Sequence, residues 1–266
     1  MRRALIVLAV LAGQLLAGQG LLTAAAPPAA ARTATGPQEA APTGADARRQ
    51  APTGGTQRQA LTGDGAQRVA LIGVPALHWH DLDPADTPHL WALAGSSAIG
   101  SLSVRTVGNV TCPYDGWLTV SAGTRSAAGY GCGAPPAPEQ RGEGAVIPDY
   151  RYLIDVAGNR EAGNLGEALK AAGQCALAIG PGAALALADR EGRIPRYHAS
   201  PAQLAAGDLE RCRLTVMDVD DLVSPYLTGD RLPATPEQLA PARRREAARL
   251  ADAKAGALLA ALPAGT

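Results

Sequence analysis

The residues of this 266-residue chain that could do chemistry fall into four groups. Thr111 stands in Thr111-Cys112-Pro113, directly ahead of a helix-like stretch. A hydroxyl at the start of a helix meets unpaired backbone N–H groups and the positive end of the dipole, a setting that favours a phosphate. To attack an ester it also needs activation, from a base or from divalent metals. His78-Trp79-His80, followed by Asp81 and Asp83, is the second group. In an extended segment residues two apart share a face, so both imidazoles could meet one ion. The plainer reading, and the one expected here, is a loop anchored by Trp79. Asp218, Asp220 and Asp221 close a strand-like run and form the third group; the fourth is the set of cysteines at 112, 132, 175 and 212.

Other motifs have structural explanations. Gly180-Pro181-Gly182 follows a strand-like run, but Leu185 stands where a dinucleotide-binding turn needs its third glycine, and Pro181 removes a phosphate-facing N–H. A proline at the first position of a helix accounts for it. Ser121 lacks the preceding glycine of a hydrolase nucleophile elbow, and no Ser-His-Asp assembly can be assigned. The run from Arg243 to Arg249 reads as the solvated face of a helix.

An even number of cysteines downstream of an export-like segment favours two disulfides. Of the three connectivities, Cys112 with Cys132 and Cys175 with Cys212 is expected: the first closes a short glycine-rich loop, and the second joins the starts of two neighbouring strands. No pair has the C-x-x-C spacing that a zinc site would favour.

The elements that must position these groups alternate in type. Arg68 to Gly73, Ala98 to Arg105, Cys175 to Gly180 and Arg213 to Val219 read as strands. Between them, a helix is expected from Thr87 as N-cap and Pro88, packing Leu90, Trp91 and Leu93 on the sheet. A second is capped by Asp115 and carries Trp117, Leu118 and Val120. Others run from Asn164 to Ala172, closed by Gly173, and from Ala183 to Ala188. A long last helix starts at Thr235 and runs to about Leu262, with Leu250, Leu258, Leu259 and Leu262 in the core. Strand and helix in alternation predict an α/β fold, a mostly parallel sheet flanked by helices. The chain closes on a helix where such a fold would return to a strand, so the domain is expected to be incomplete at its C-terminus.

The stretch from Arg68 to Arg125 resembles the opening of the alkaline-phosphatase-like superfamily, in particular its nucleotide pyrophosphatase/phosphodiesterase branch. It is still more similar to a set of uncharacterised exported actinobacterial proteins with a Thr-Cys-Pro-x-Asp-Gly-Trp-Leu-Thr segment. Thr111-Cys112-Pro113 matches the position of that family's nucleophile, and Gly123 or Thr124 its later turn. The resemblance implies a catalytic Thr111 served by two divalent metals on Asp and His ligands. The sequence departs from it: Pro75 stands where the first-strand Asp belongs, and no His follows His198 to complete the later pair.

The N-terminus points out of the cytoplasm. Arg2 and Arg3 precede an apolar run from Ala4 to Gly13, and small-residue cleavage patterns follow at 24–26 and 29–31. Residues 1–31 are therefore read as a signal peptide removed after Ala31, with a retained membrane anchor as the alternative. Residues 32–67 hold no aromatic residue and almost no large aliphatic one, and are expected to be a disordered linker. Residues 68–266 then form the α/β domain. A formal net charge of +0 gives no reason to expect nucleic acid or an anionic surface as partner; membrane contact is expected only through the N-terminal segment.

Together these features lead to the expectation of an exported, non-catalytic module of the cell envelope without a cofactor. Two alternatives stand beside it: a zinc- or manganese-dependent phosphoester hydrolase with Thr111 as nucleophile and ligands such as His78, His80, Asp218 and Asp220, and a fragment of a longer envelope protein.

Overall fold

The computed structural model describes Val7–Ala9 and residues 68–100, 107, 112–127, 132–134, 137–157, 160–229, 231–233, 238–264 and 266. In chain order the elements are β1 (Val7–Ala9), β2 (Val69–Gly73), α1 (Pro88–Ser96), α2 (Pro113–Ala122), β3 (Glu139–Arg141), β4 (Gly144–Val146), α3 (Tyr150–Ala157), α4 (Asn164–Ala171), β5 (Ala176–Ile179), α5 (Pro181–Leu187), β6 (Arg193–Ile194), β7 (Arg196–His198), α6 (Asp208–Arg211), β8 (Leu214–Asp218) and α7 (Pro241–Ala261).

The main sheet is parallel throughout, in the order β1-β2-β8-β5-β7. Its central strand β8 pairs with β2, placing Gly73 beside Asp218, and with β5, placing Ile179 beside Met217. The outermost pairing with β2 is made by Val7–Ala9, three residues of the segment read as an export signal. A second, antiparallel sheet joins β3, β4 and β6.

Strand residues alternate between two apolar layers. On one face Ala176, Ala178 and Val216 pack with Tyr114, Trp117 and Leu118 of α2 and with the buried run Ala183–Leu187 of α5. On the other, Ile72, Leu177, Ile179 and Met217 pack with Leu90 of α1 and with Ala247, Ala248, Ala251, Ala255 and Leu258 of α7. Covering both faces is what lets such strands be apolar throughout, and it defines an α/β architecture with a parallel sheet between helical layers.

Several expectations need correction. The last helix begins at Pro241, since a proline is accommodated at the first position of a helix and breaks its interior. Of the leucines expected in its core face, Leu258 is fully buried and Leu259 and Leu262 pack against the same cluster, but Leu250 is 50% exposed, and alanines make up most of the buried stripe. Gly256 explains the close approach: a Cβ there would collide with the His89 ring of α1. Trp91 is 49% exposed and does not pack on the sheet, whereas Leu90 and Leu93 do become buried. Thr87 holds the N-cap position of α1 but does not cap it. Its hydroxyl donates to the Asp81 and Asp83 carbonyls, and the α1 N-terminus is capped from afar by Asp252 of α7, whose carboxylate accepts from Leu90 N–H at 2.8 Å. Helix α2 starts at Pro113 with Cys112 at its N-cap position, and Asp115 caps it from the third helical position, its carboxylate accepting from the Cys112 N–H. Of the strand expected over 98–105, residues 98–100 are irregular and 101–105 lie outside the described residues.

Both disulfides are present: Cys112 to Cys132 and Cys175 to Cys212. The second staples the entrances of β5 and β8, whose residues Ala176 and Leu214 are paired.

Candidate functional site

Parallel α/β sheets bind ligands beyond the carboxyl ends of their strands. Here that end is built around Asp218, the last residue of β8. Its carboxylate is buried, and each oxygen has a partner. Trp117 Nε1–H donates to Oδ1 at 3.1 Å, and the Gly182 N–H donates to Oδ2 at 2.8 Å. Trp117, one turn into α2, is 1% exposed, and its ring lies against Gly73 of β2 and Gly182 of α5, at both of which a Cβ would collide with it. The clamp therefore joins β2, β8, α2 and α5 through one indole and one carboxylate. Gly180 makes room for it: a positive φ of 89° turns the chain out of β5 so that Pro181 can start α5.

Burial pushes the Asp218 carboxyl up to about 7; the nearby Asp220 charge adds to this, while the Gly182 and Trp117 hydrogen bonds and Lys254 oppose it. The same environment raises Tyr197, through burial first and the Asp218 charge second. At the start of α2, Asp115 lies buried with its carboxylate within 3.4 Å of the Cys112 N–H. An internal carboxylate thus stands at the first turn of α2 and another at that of α5, where an incoming anion would otherwise find free N–H groups. Thr111 itself lies outside the described residues.

The loop after β2 corrects two further expectations. Trp79 is 65% exposed and does not anchor the loop among the described residues. The anchor is Asp81, 8% exposed, whose carboxylate takes Arg244 Nε at 2.7 Å and Nη2 at 2.6 Å, with the His78 N–H on Oδ2 at 2.8 Å. Burial alone would raise the Asp81 carboxyl, but the bonds from Arg244 and His78 and the Arg244 charge outweigh it and hold it below the usual carboxylate range. Arg244 also donates to the Ala76 carbonyl, so the run from Arg243 to Arg249 is more than a solvated face. Asp218 and Asp220 do not join His78 and His80: the donor atoms that gather there belong to His78, His80 and Asp81.

Elsewhere, Ser121 is buried and its hydroxyl accepts from the Gly163 N–H at 2.9 Å, a packing role. His198 Nε2 lies 2.9 Å from Asp208, which Arg196 also contacts at 3.2 Å. Glu167, Asp189 and Glu191 gather around a turn, with Lys170 3.5 Å from Asp189. An open groove of about 610 Å³, lined in part by Val146, Leu169, Lys170 and Arg193, lies beside the amino end of β5, away from Asp218.

The sequence missed the Trp117–Asp218–Gly182 clamp and the Asp81–Arg244 pair. Its traces were an aspartate closing an apolar strand and a Gly-Pro-Gly turn, neither of which names a partner. The fold and disulfides define an α/β domain compatible with an extracytoplasmic location. No family model, curated protein or solved structure matches the chain. Among the described residues no helix is long and apolar enough to cross a membrane.

Proposed function

We propose that this chain is an exported, alkaline-phosphatase-like α/β module of the cell envelope that binds or supports and does not hydrolyse. The observation that carries the reading is the engagement of Asp218: the carboxylate at the end of the central strand directs one oxygen to Trp117 and the other to Gly182. A carboxylate held this way, with its pKa raised by burial, is a poor metal ligand, because ligation needs the ionised form and an accessible lone pair. Pro75, buried at the other strand end where the resemblance calls for an aspartate, supports the same reading. Export is supported by the Arg2-Arg3 apolar segment and by the two disulfides.

The test is hydrolysis of nitrophenyl phosphate mono- and diesters by the purified tag-free protein with added zinc or manganese. The reading expects turnover no greater than that of Thr111→Ala. Metal-dependent turnover that Thr111→Ala abolishes would overturn it in favour of a Thr111 hydrolase.

A further inference from the structure

We propose that His78, His80 and Asp81 form a binding site for one divalent ion of the zinc class, in the loop that follows β2. Their donor atoms lie within 4.8 Å of one another. Two imidazoles with one carboxylate suit zinc and its neighbours better than magnesium or calcium, which prefer oxygen ligands.

The spacing agrees with the chemistry. A tetrahedral zinc with bonds of about 2.0–2.2 Å holds its ligand atoms roughly 3.3–3.5 Å apart. His80 Nε2 stands 3.6 Å from Asp81 Oδ1, too far for a hydrogen bond and close to that ligand spacing. The His78 and His80 rings meet edge to face with centroids 5.0 Å apart, so they are not stacked against each other. Asp81 keeps capacity: Oδ1 accepts from Arg244 Nε, and a carboxylate oxygen has a second lone pair to offer an ion.

The remaining features favour a reversible site. His80 is exposed and gives an ion access from solvent. Three protein ligands leave a fourth position for water. Arg244 on the same carboxylate sets a like charge beside the ion, so the expected dissociation constant is on the order of micromolar. Neither Asp218 nor Asp220 takes part, so an ion here does not imply ester hydrolysis, and the site stands or falls apart from the proposed function.

The test is calorimetric titration of the metal-stripped, tag-free chain with Zn²⁺, repeated with Co²⁺ to read tetrahedral absorption. The other two histidines are otherwise engaged, His89 against Gly256 and His198 with Asp208, so a loss of binding can be assigned. One ion per chain is expected. His80→Ala and His78→Ala should each weaken binding by about ten-fold or more, and His80→Ala should leave the metal-free melting temperature unchanged. Asp220→Asn should bind as the parent does. No saturable binding up to about 100 µM zinc, or binding that His80→Ala leaves intact or Asp220→Asn removes, would overturn the proposal.

Discussion

The indole N–H of Trp117 donates to the Asp218 carboxylate at 3.1 Å across 101 residues of chain. With Gly182 N–H on the other oxygen, this pair locks α2 and α5 onto the carboxyl end of the sheet. Trp117→Phe removes the donor, leaves a buried acceptor short of a partner and opens a void. A loss of about 2–4 kcal/mol in urea unfolding is expected, with the denaturant slope unchanged.

Gly182→Ala tests the closeness of the same contact. Its Cβ would meet both the Trp117 ring and the Asp218 carboxylate, so α5 or the indole must shift. Overpacking of this kind costs about 1–3 kcal/mol. A variant as stable as the parent would show that the clamp is looser than described.

Asp252 is buried in α7 and caps α1 through Leu90 N–H. Asp252→Ala removes the cap and should lower stability by about 1–2 kcal/mol, while Asp252→Asn, which keeps an acceptor, should lose less. Equal losses in the two variants would argue for a charge effect in place of a cap.

Non-reduced peptide mapping should recover Cys112 with Cys132 and Cys175 with Cys212. Opening the second link by paired Cys→Ser substitution should cost about 3–4 kcal/mol, since it closes a loop of 37 residues. A Cys112 to Cys175 peptide would contradict the fold. If the chain is exported as proposed, the secreted form should begin at Arg32 by N-terminal sequencing. An N-terminus at Met1 or Arg2 in the membrane fraction would identify a retained anchor.

The elements legible in the sequence were those whose pattern is local. Strands β2 and β5 are continuous apolar runs and β8 is one broken only by Thr215 before Asp218, and α4 is closed just beyond its last turn by Gly173, whose φ of 63° needs a glycine. Strand β7 was not legible: Arg196-Tyr197-His198 is short, polar and at an edge, and only its pairing with β5 makes it a strand. In α7 the leucine pattern located Leu258, Leu259 and Leu262 in the core but also drew in the exposed Leu250, and it passed over Ala247, Ala248, Ala251 and Ala255, small residues that let the helix pack closely. At the candidate site the sequence picked out the His78–Asp81 group and Asp218 as residues of interest, while Thr111, which it also picked out, lies outside the described residues. It could not supply Trp117 for Asp218 or Arg244 for Asp81, because these partners meet only through the fold.

Whether Asp218 is a sealed structural carboxyl or a metal ligand is decided by the thermal stability of parent and Asp218→Asn between pH 4 and 8, each with and without zinc. The folded pKa of Asp218, about 7, lies above the unfolded 3.8. The folded state therefore binds the extra proton between these values. This stabilising contribution is complete below about pH 4 and is lost as pH rises through 7, on the order of 2–4 kcal/mol. The parent should lose stability over this range relative to Asp218→Asn, and zinc should shift both proteins equally. A stability difference independent of pH, or a zinc shift that disappears in Asp218→Asn, would contradict the structural role and make Asp218 a metal ligand.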